Sequence, residues 1–147
     1  MCGAHATVRG FLGELVAKSP DRFDIVVDME AGLEHLSRGT GKHVSRFLAV
    51  VEPYYRSMET ARRVAELATE LGVSEVGAVL NKVRNQADRD AVAAFCATHK
   101  MKIVGEIPYD AGLADAERAG RPPLDYGPNS ASINAIRKLA GDLIAGT

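Results

Sequence analysis

The sequence predicts an α/β fold: three layers, with a mostly parallel sheet of about four strands flanked by helices. Three observations carry that expectation. Four short runs are rich in branched aliphatics: FDIVVDM (23–29), RFLAVVE (46–52), EVGAVLN (75–81) and KIVGEIP (102–108). Each is nearly continuous in apolar character, which suits strands covered on both faces. Successive runs start about 20 to 30 residues apart, room for the crossover that parallel neighbours require.

Taken in order, the intervening segments read as helices. The opening stretch sets Ala4, Val8, Phe11, Leu12 and Leu15 at helical spacing. Between the second and third strands, Ala61, Val64, Ala65, Ala68 and Leu71 make one face, with Ser57 as expected N-cap and Gly72 as the expected C′ residue. Ala87, Ala91, Ala94 and Phe95 make the stripe before the fourth strand, with Cys96 beside it as a small buried hydrophobe. Ile133, Ile136, Ala140, Leu143 and Ile144 make the last one, after the turn-rich RPPLDYGPNS. No internal repeat or linker interrupts the chain, so residues 1–147 read as a single domain. The exception is EAGLEHLSRGTGKHVS, which follows Asp28 with three glycines and little apolar content and reads as a loop with a function.

Composition limits the function classes. The chain has 147 residues, 46% hydrophobic and 25% charged, so it can bury one core. Its formal net charge of -1 gives no basic footprint for nucleic acid and no polybasic membrane patch. No apolar run approaches the roughly 20 residues of a membrane helix, and the N-terminus lacks the form of a signal peptide. Two cysteines, Cys2 and Cys96, suit a reducing compartment, so the expected location is cytoplasmic.

The chemistry-bearing residues gather at strand ends. In doubly wound sheets ligands bind beyond the carboxyl ends of the strands. There the first run ends in Asp28, which can orient a magnesium ion beside a polyphosphate, or simply cap the next turn. Gly32, four residues on, lets a backbone N–H approach a terminal phosphate. The third run ends in Asn81 and Lys82, and an Asn amide can pair with the N6/N7 edge of adenine. The fourth ends in Pro108, Tyr109 and Asp110, where Pro108 stiffens a loop and Asp110 can cap a helix beginning at Ala111. At the N-terminus Cys2 and His5 form C-x-x-H, two ligands of metal-binding type or the thiol and imidazole of a frayed terminus.

DIVVDMEAGLEHLSRGT, VVEPYYRSMETARRV, VLNKV and EIPYD together resemble the later motifs of the MinD/ParA-type P-loop ATPases. More narrowly they resemble the CooC-type ATPases, which assist nickel insertion into carbon monoxide dehydrogenase. The resemblance implies ATP or ADP with Mg2+ as ligand. It makes Asp28 the Walker B position and Gly32 part of switch II, with Glu52 to Thr60 packed beside them. Asn81, Lys82, Pro108, Tyr109 and Asp110 then border the adenine pocket. It implies a homodimer or other self-association, a metalloenzyme client, and nickel or zinc shared across a dimer interface. Cys2 matches the second cysteine of that family's C-x-C motif.

The departure is at the phosphates. No GxxxxGK[ST] occurs: at the nearest mimic, GTGKH (39–43), position 36 is Leu and Gly41-Lys42 is followed by His43. The chain thus reads as the later part of a larger ATPase domain, binding nucleotide without hydrolysing it efficiently alone. The alternative is a nonenzymatic binding or scaffold module acting through dimerisation or a shared metal site.

Overall fold

β1 (Arg46–Val51), β2 (Glu75–Val83) and β3 (Lys102–Pro108) form a three-stranded sheet in the order β1-β2-β3, with β2 and β3 parallel. Helix α1 (Tyr55–Glu70) connects β1 to β2, and α2 (Gln86–Thr98) connects β2 to β3. α3 (Ala111–Arg118), the single turn α4 (Pro123–Tyr126) and α5 (Ala131–Ile144) follow. The computed structural model describes residues 10, 11, 13–15, 17, 18, 25–28, 44–73 and 75–146. This is the predicted α/β class, a parallel sheet with helical crossovers. The predicted 23–29 strand differs: its described residues, Ile25 to Asp28, carry no strand, and Val26 is 93% exposed. A strand forms by pairing, and an aliphatic run with no neighbouring backbone to bond stays irregular whatever its propensity. The predicted helix at the N-terminus is helical at each described residue from Gly10 to Lys18.

The chain divides into two compact units. The first comprises Met1–Phe47 and Arg62–Val76. In it Phe47, Ala68 and Val73 are buried together, with Val44, Val64, Leu67, Leu71 and Val76 packed against them. α1 closes there as predicted. Gly72 takes φ +79, Val73 N–H bonds Ala68 O at 2.9 Å and Gly72 N–H bonds Thr69 O at 3.0 Å. These bonds satisfy the last carbonyls of the helix, and the left-handed residue is Gly because it has no Cβ to clash. Arg46 Nε donates to Glu75 at 2.6 Å, joining the starts of β1 and β2.

The second unit comprises Leu48–Ala61 and Gly77–Thr147. Gly77 to Leu80 of β2 are all buried, a strand covered on both faces. Gly77 is required by close approach: a Cβ there would lie 2.7 Å from a Val104 methyl of β3. α5 packs on β3, with Leu139 set against Gly105. β1 departs from the expectation of two covered faces. Leu48 and Val50 are exposed while Ala49 and Val51 are buried, because β1 is an edge strand among the described residues.

Two helix faces also differ from the predicted stripes. In α2, Ala87, Ala91 and Ala94 are exposed and Val92 and Cys96 are buried. In α5 Ile133 is buried, but Ile136 and Ile144 are exposed. Alanine costs little on either side of a helix, so an Ala-rich segment defines its face poorly. Ser57 is no N-cap. α1 starts at Tyr55, and the Ser57 hydroxyl accepts from Glu52 N–H at 2.9 Å.

Candidate nucleotide site at the strand ends

Five of the predicted site residues lie in the second unit, at the carboxyl ends of β2 and β3. The register pairs Val83 with Pro108, and Tyr109 N–H donates to Val83 O at 2.9 Å. This bond continues the ladder past the strand and brings the Asn81-Lys82 end beside the Pro108–Asp110 turn. Asn81 is half-buried, its amide supplying both a donor and an acceptor.

The β3 end is fully committed. Asp110 caps α3, its Oδ1 accepting from Gly112 N–H at 2.9 Å. Its Oδ2 accepts from Ser132 Oγ at 2.7 Å, and Ser130 Oγ lies 3.1 Å from that hydroxyl. Ser132 is completely buried, and Ser130 is the N-cap of α5. One carboxylate therefore joins the N-termini of α3 and α5, where helix dipoles favour negative charge. The Ser132 hydroxyl, then that of Ser130 and the Gly112 N–H, hold its carboxyl below the usual aspartate range. Asp110 positions the loop, each of its oxygens already accepting a hydrogen bond.

The β2 end is held differently. Lys82 has φ 57, a left-handed backbone that costs a non-glycine residue on the order of 1 kcal/mol. Its ammonium donates to Glu52 at the end of β1, at 2.8 Å. That bond raises the Lys82 pKa, against some loss from burial. Two residues on, the Arg84 guanidinium stacks on the Tyr109 ring, 4.5 Å from its centre. Arg84 N–H also donates to Asp88 Oδ2, while Asn85 caps α2 by accepting from Asp88 N–H. Behind the site, Arg89 grips both oxygens of Glu106 in β3 and holds that carboxyl below its usual range.

Asp28 is exposed and lies in the first unit. A single exposed carboxylate fits an ion such as Mg2+, which takes one or two protein carboxylates and completes its shell with phosphate and water. Gly32, Cys2 and His5, and the loop at 29–43, lie outside the described residues. Among the described residues no group of three or more His, Cys, Asp or Glu converges as a metal site, and no helix is long and apolar enough to cross a membrane.

Sequence reasoning singled out Asn81, Lys82, Pro108, Tyr109 and Asp110, but not the contacts that Glu52, Arg84, Ser130 and Ser132 make with three of them. Ser130 carried a readable signal, a serine three residues before the apolar Ile133. The Glu52–Lys82 pair carried none, because it spans 30 positions in the chain.

No family model matches the chain. It is 32% identical over 128 residues to the carbon monoxide dehydrogenase accessory protein CooC of Rhodospirillum rubrum, covering 87% of this chain and 47% of CooC. It is 34% identical over 123 residues to MJ0823, an uncharacterized ATP-binding protein of Methanocaldococcus jannaschii, covering 83% and 47%. The MinD cell division protein of Aquifex aeolicus superposes with a TM-score of 0.72 at 21% identity, over 96% of this chain and 61% of MinD. MinD of Pyrococcus horikoshii, complexed with Mg-ADP, gives 0.70 at 20% identity, over 92% and 56%. The structural likeness establishes the fold, and the chain spans about half the length of the curated relatives it matches. Over that half, the chain is similar in sequence to CooC and to an ATP-binding protein, and its fold is that of MinD.

Proposed function

We propose that this chain carries the base-reading part of an ATP-binding domain and is not an efficient ATPase by itself. The carrying observation is the juxtaposition of Asn81 with the Pro108–Asp110 turn, fixed by the Tyr109–Val83 backbone bond. In this reading the Asn81 amide meets the N6/N7 edge of adenine, and the rigid turn closes the base on its other side. Asp28 supplies a carboxylate to Mg2+, and Gly32 reports the terminal phosphate. Hydrolysis also needs the phosphate-cradling amides and lysine of a P-loop motif, which this sequence does not contain. Calorimetry with Mg-ADP and adenosine tests the reading. Both are expected to bind, and Asn81→Ala is expected to abolish the adenosine signal. Equal binding by the variant sinks it.

The similarity to CooC supports a finer assignment: a cytoplasmic, self-associating role in nickel-centre maturation, with a metalloenzyme as client. Cys2 and His5 of two copies would then hold nickel or zinc. Metal retained after dialysis and lost in Cys2→Ser is the expected result. A second reading, a nonenzymatic module, is favoured by apolar exposure along β1 and beyond it, at Leu48, Val50, Tyr54 and Tyr55. It predicts a defined oligomer with no turnover, and a clean monomer in light scattering counts against it.

A further inference from the structure

Lys82 carries the left-handed backbone at the β2 end, where the β2–β3 register holds one extra residue between Leu80 and Val83, a β-bulge. Its side chain is 53% exposed, so burial does not hold it in the left-handed region. Its ammonium pairs with the half-buried Glu52 carboxylate, and an ion pair with one member open to water contributes little to stability. Bulges recur beside functional sites, where the extra residue re-aims a side chain. Here it aims an ammonium from the end of β2 across to the end of the neighbouring strand β1, on the edge where sheets of this class take ligands.

Glu52 is built to let go. Its backbone is anchored independently, because its N–H donates to Ser57 Oγ at 2.9 Å. The carboxylate can rotate away without disturbing the start of α1. Once it leaves, the Lys82 ammonium stands without its carboxylate, with Arg84, stacked on Tyr109, two residues further on. A polyphosphate suits that arrangement better than a single carboxylate does.

We propose that Glu52 is an internal occupant of an anion site centred on the Lys82 ammonium, which a phosphate group of the nucleotide takes by displacing it. The proposal rests on the nucleotide reading above and adds the phosphate contact and its built-in competitor. Removing Glu52 relieves both the competition and a like-charge repulsion toward the incoming phosphate.

The test is calorimetry on the full chain with ADP, pyrophosphate and adenosine, using Glu52→Gln, Lys82→Ala and the double variant. Glu52→Gln is expected to tighten ADP and pyrophosphate about five- to tenfold and leave adenosine unchanged. Lys82→Ala is expected to drop ADP to the affinity of adenosine and to erase the gain from Glu52→Gln. No gain from Glu52→Gln, or the same gain in the Lys82→Ala background, overturns the proposal. Should Glu52→Gln fail to fold, Lys82→Ala decides alone, because unchanged ADP affinity is fatal. Adenosine binding without any pyrophosphate binding removes the anion site and leaves the base reading standing. A Glu52-dependent gain with pyrophosphate, without adenosine binding, does the reverse.

Discussion

The ends of β2 and β3 lie side by side yet hold their charges in opposite ways. At the β3 end, Asp110 has a donor on each oxygen and joins two helix N-termini, one of its partners being the buried Ser132. At the β2 end, Lys82 sits on left-handed backbone, its exposed ammonium held by a single carboxylate, the half-buried Glu52. Both belong to a strand–turn–helix junction, and in sequence both look like polar residues after an apolar run. The difference teaches that a charge at a strand end serves the scaffold when its hydrogen bonds are complete. It is available to a ligand when they are cheap to break.

The largest expected effect removes the support common to both ends. Leu80 precedes Asn81 and is 1% exposed. Leu80→Ala is expected to cost about 2–5 kcal/mol in denaturant unfolding, through lost burial and a residual cavity. A cost near zero would mean that β2 is not the central, doubly covered strand.

The next effect breaks only the β3 end. Asp110→Asn keeps an acceptor for Gly112 N–H but removes the charge between the helix N-termini, so Tm is expected to fall by several degrees. The sign with pH follows from the depressed carboxyl. The folded value lies below the ordinary one near 3.9, so the contribution is complete above about pH 4 and lost as pH falls through the folded value. The variant's Tm is expected to be flatter than the parent's below pH 4, and parallel curves would show that Asp110 is not the group responsible.

A smaller effect concerns chemistry rather than stability. Cys96 is 1% exposed and burial pushes its thiol up, so it is a poor nucleophile. In a Cys2→Ser background, a thiol reagent at pH 8 is expected to react slowly with the native chain and rapidly after unfolding. A fast native reaction would show α2 opening on that time scale.

Much of this was legible in the sequence, and the misses have physical causes. β1, β2 and β3 were located to within two residues because continuous aliphatic runs bounded by polar ends suit few other structures. The 23–29 run carried the same signal, but Ile25 to Asp28 form no strand, since pairing is not encoded in the run itself. The α2 face was misplaced because three alanines outvoted Val92 and Cys96. Asn81, Lys82, Pro108 and Tyr109 were legible as strand-end residues, and Asp110 as a cap. Its link to Ser132 was not, because a contact over 22 positions has no local signature. Nor does any property of a lysine announce a left-handed backbone.

That last point gives the finest test of the two strand ends, since strain and ion pairing at Lys82 can be separated. Lys82→Ala loses the Glu52 pair and keeps a Cβ in the left-handed region. Lys82→Gly loses the same pair and removes the Cβ clash, worth about 1 kcal/mol, against a loss of about 0.5–1 kcal/mol from the more flexible unfolded chain. An exposed pair contributes at most about 1 kcal/mol and is common to both variants. Lys82→Gly is therefore expected to match or slightly exceed Lys82→Ala in stability, reversing the usual order of Ala over Gly in a strand. Both are expected to lose the phosphate-dependent part of ADP affinity equally. If alanine is the more stable by the ordinary margin, the backbone at 82 is unstrained in solution. The β2 end then differs from the β3 end only in how its charge is paired.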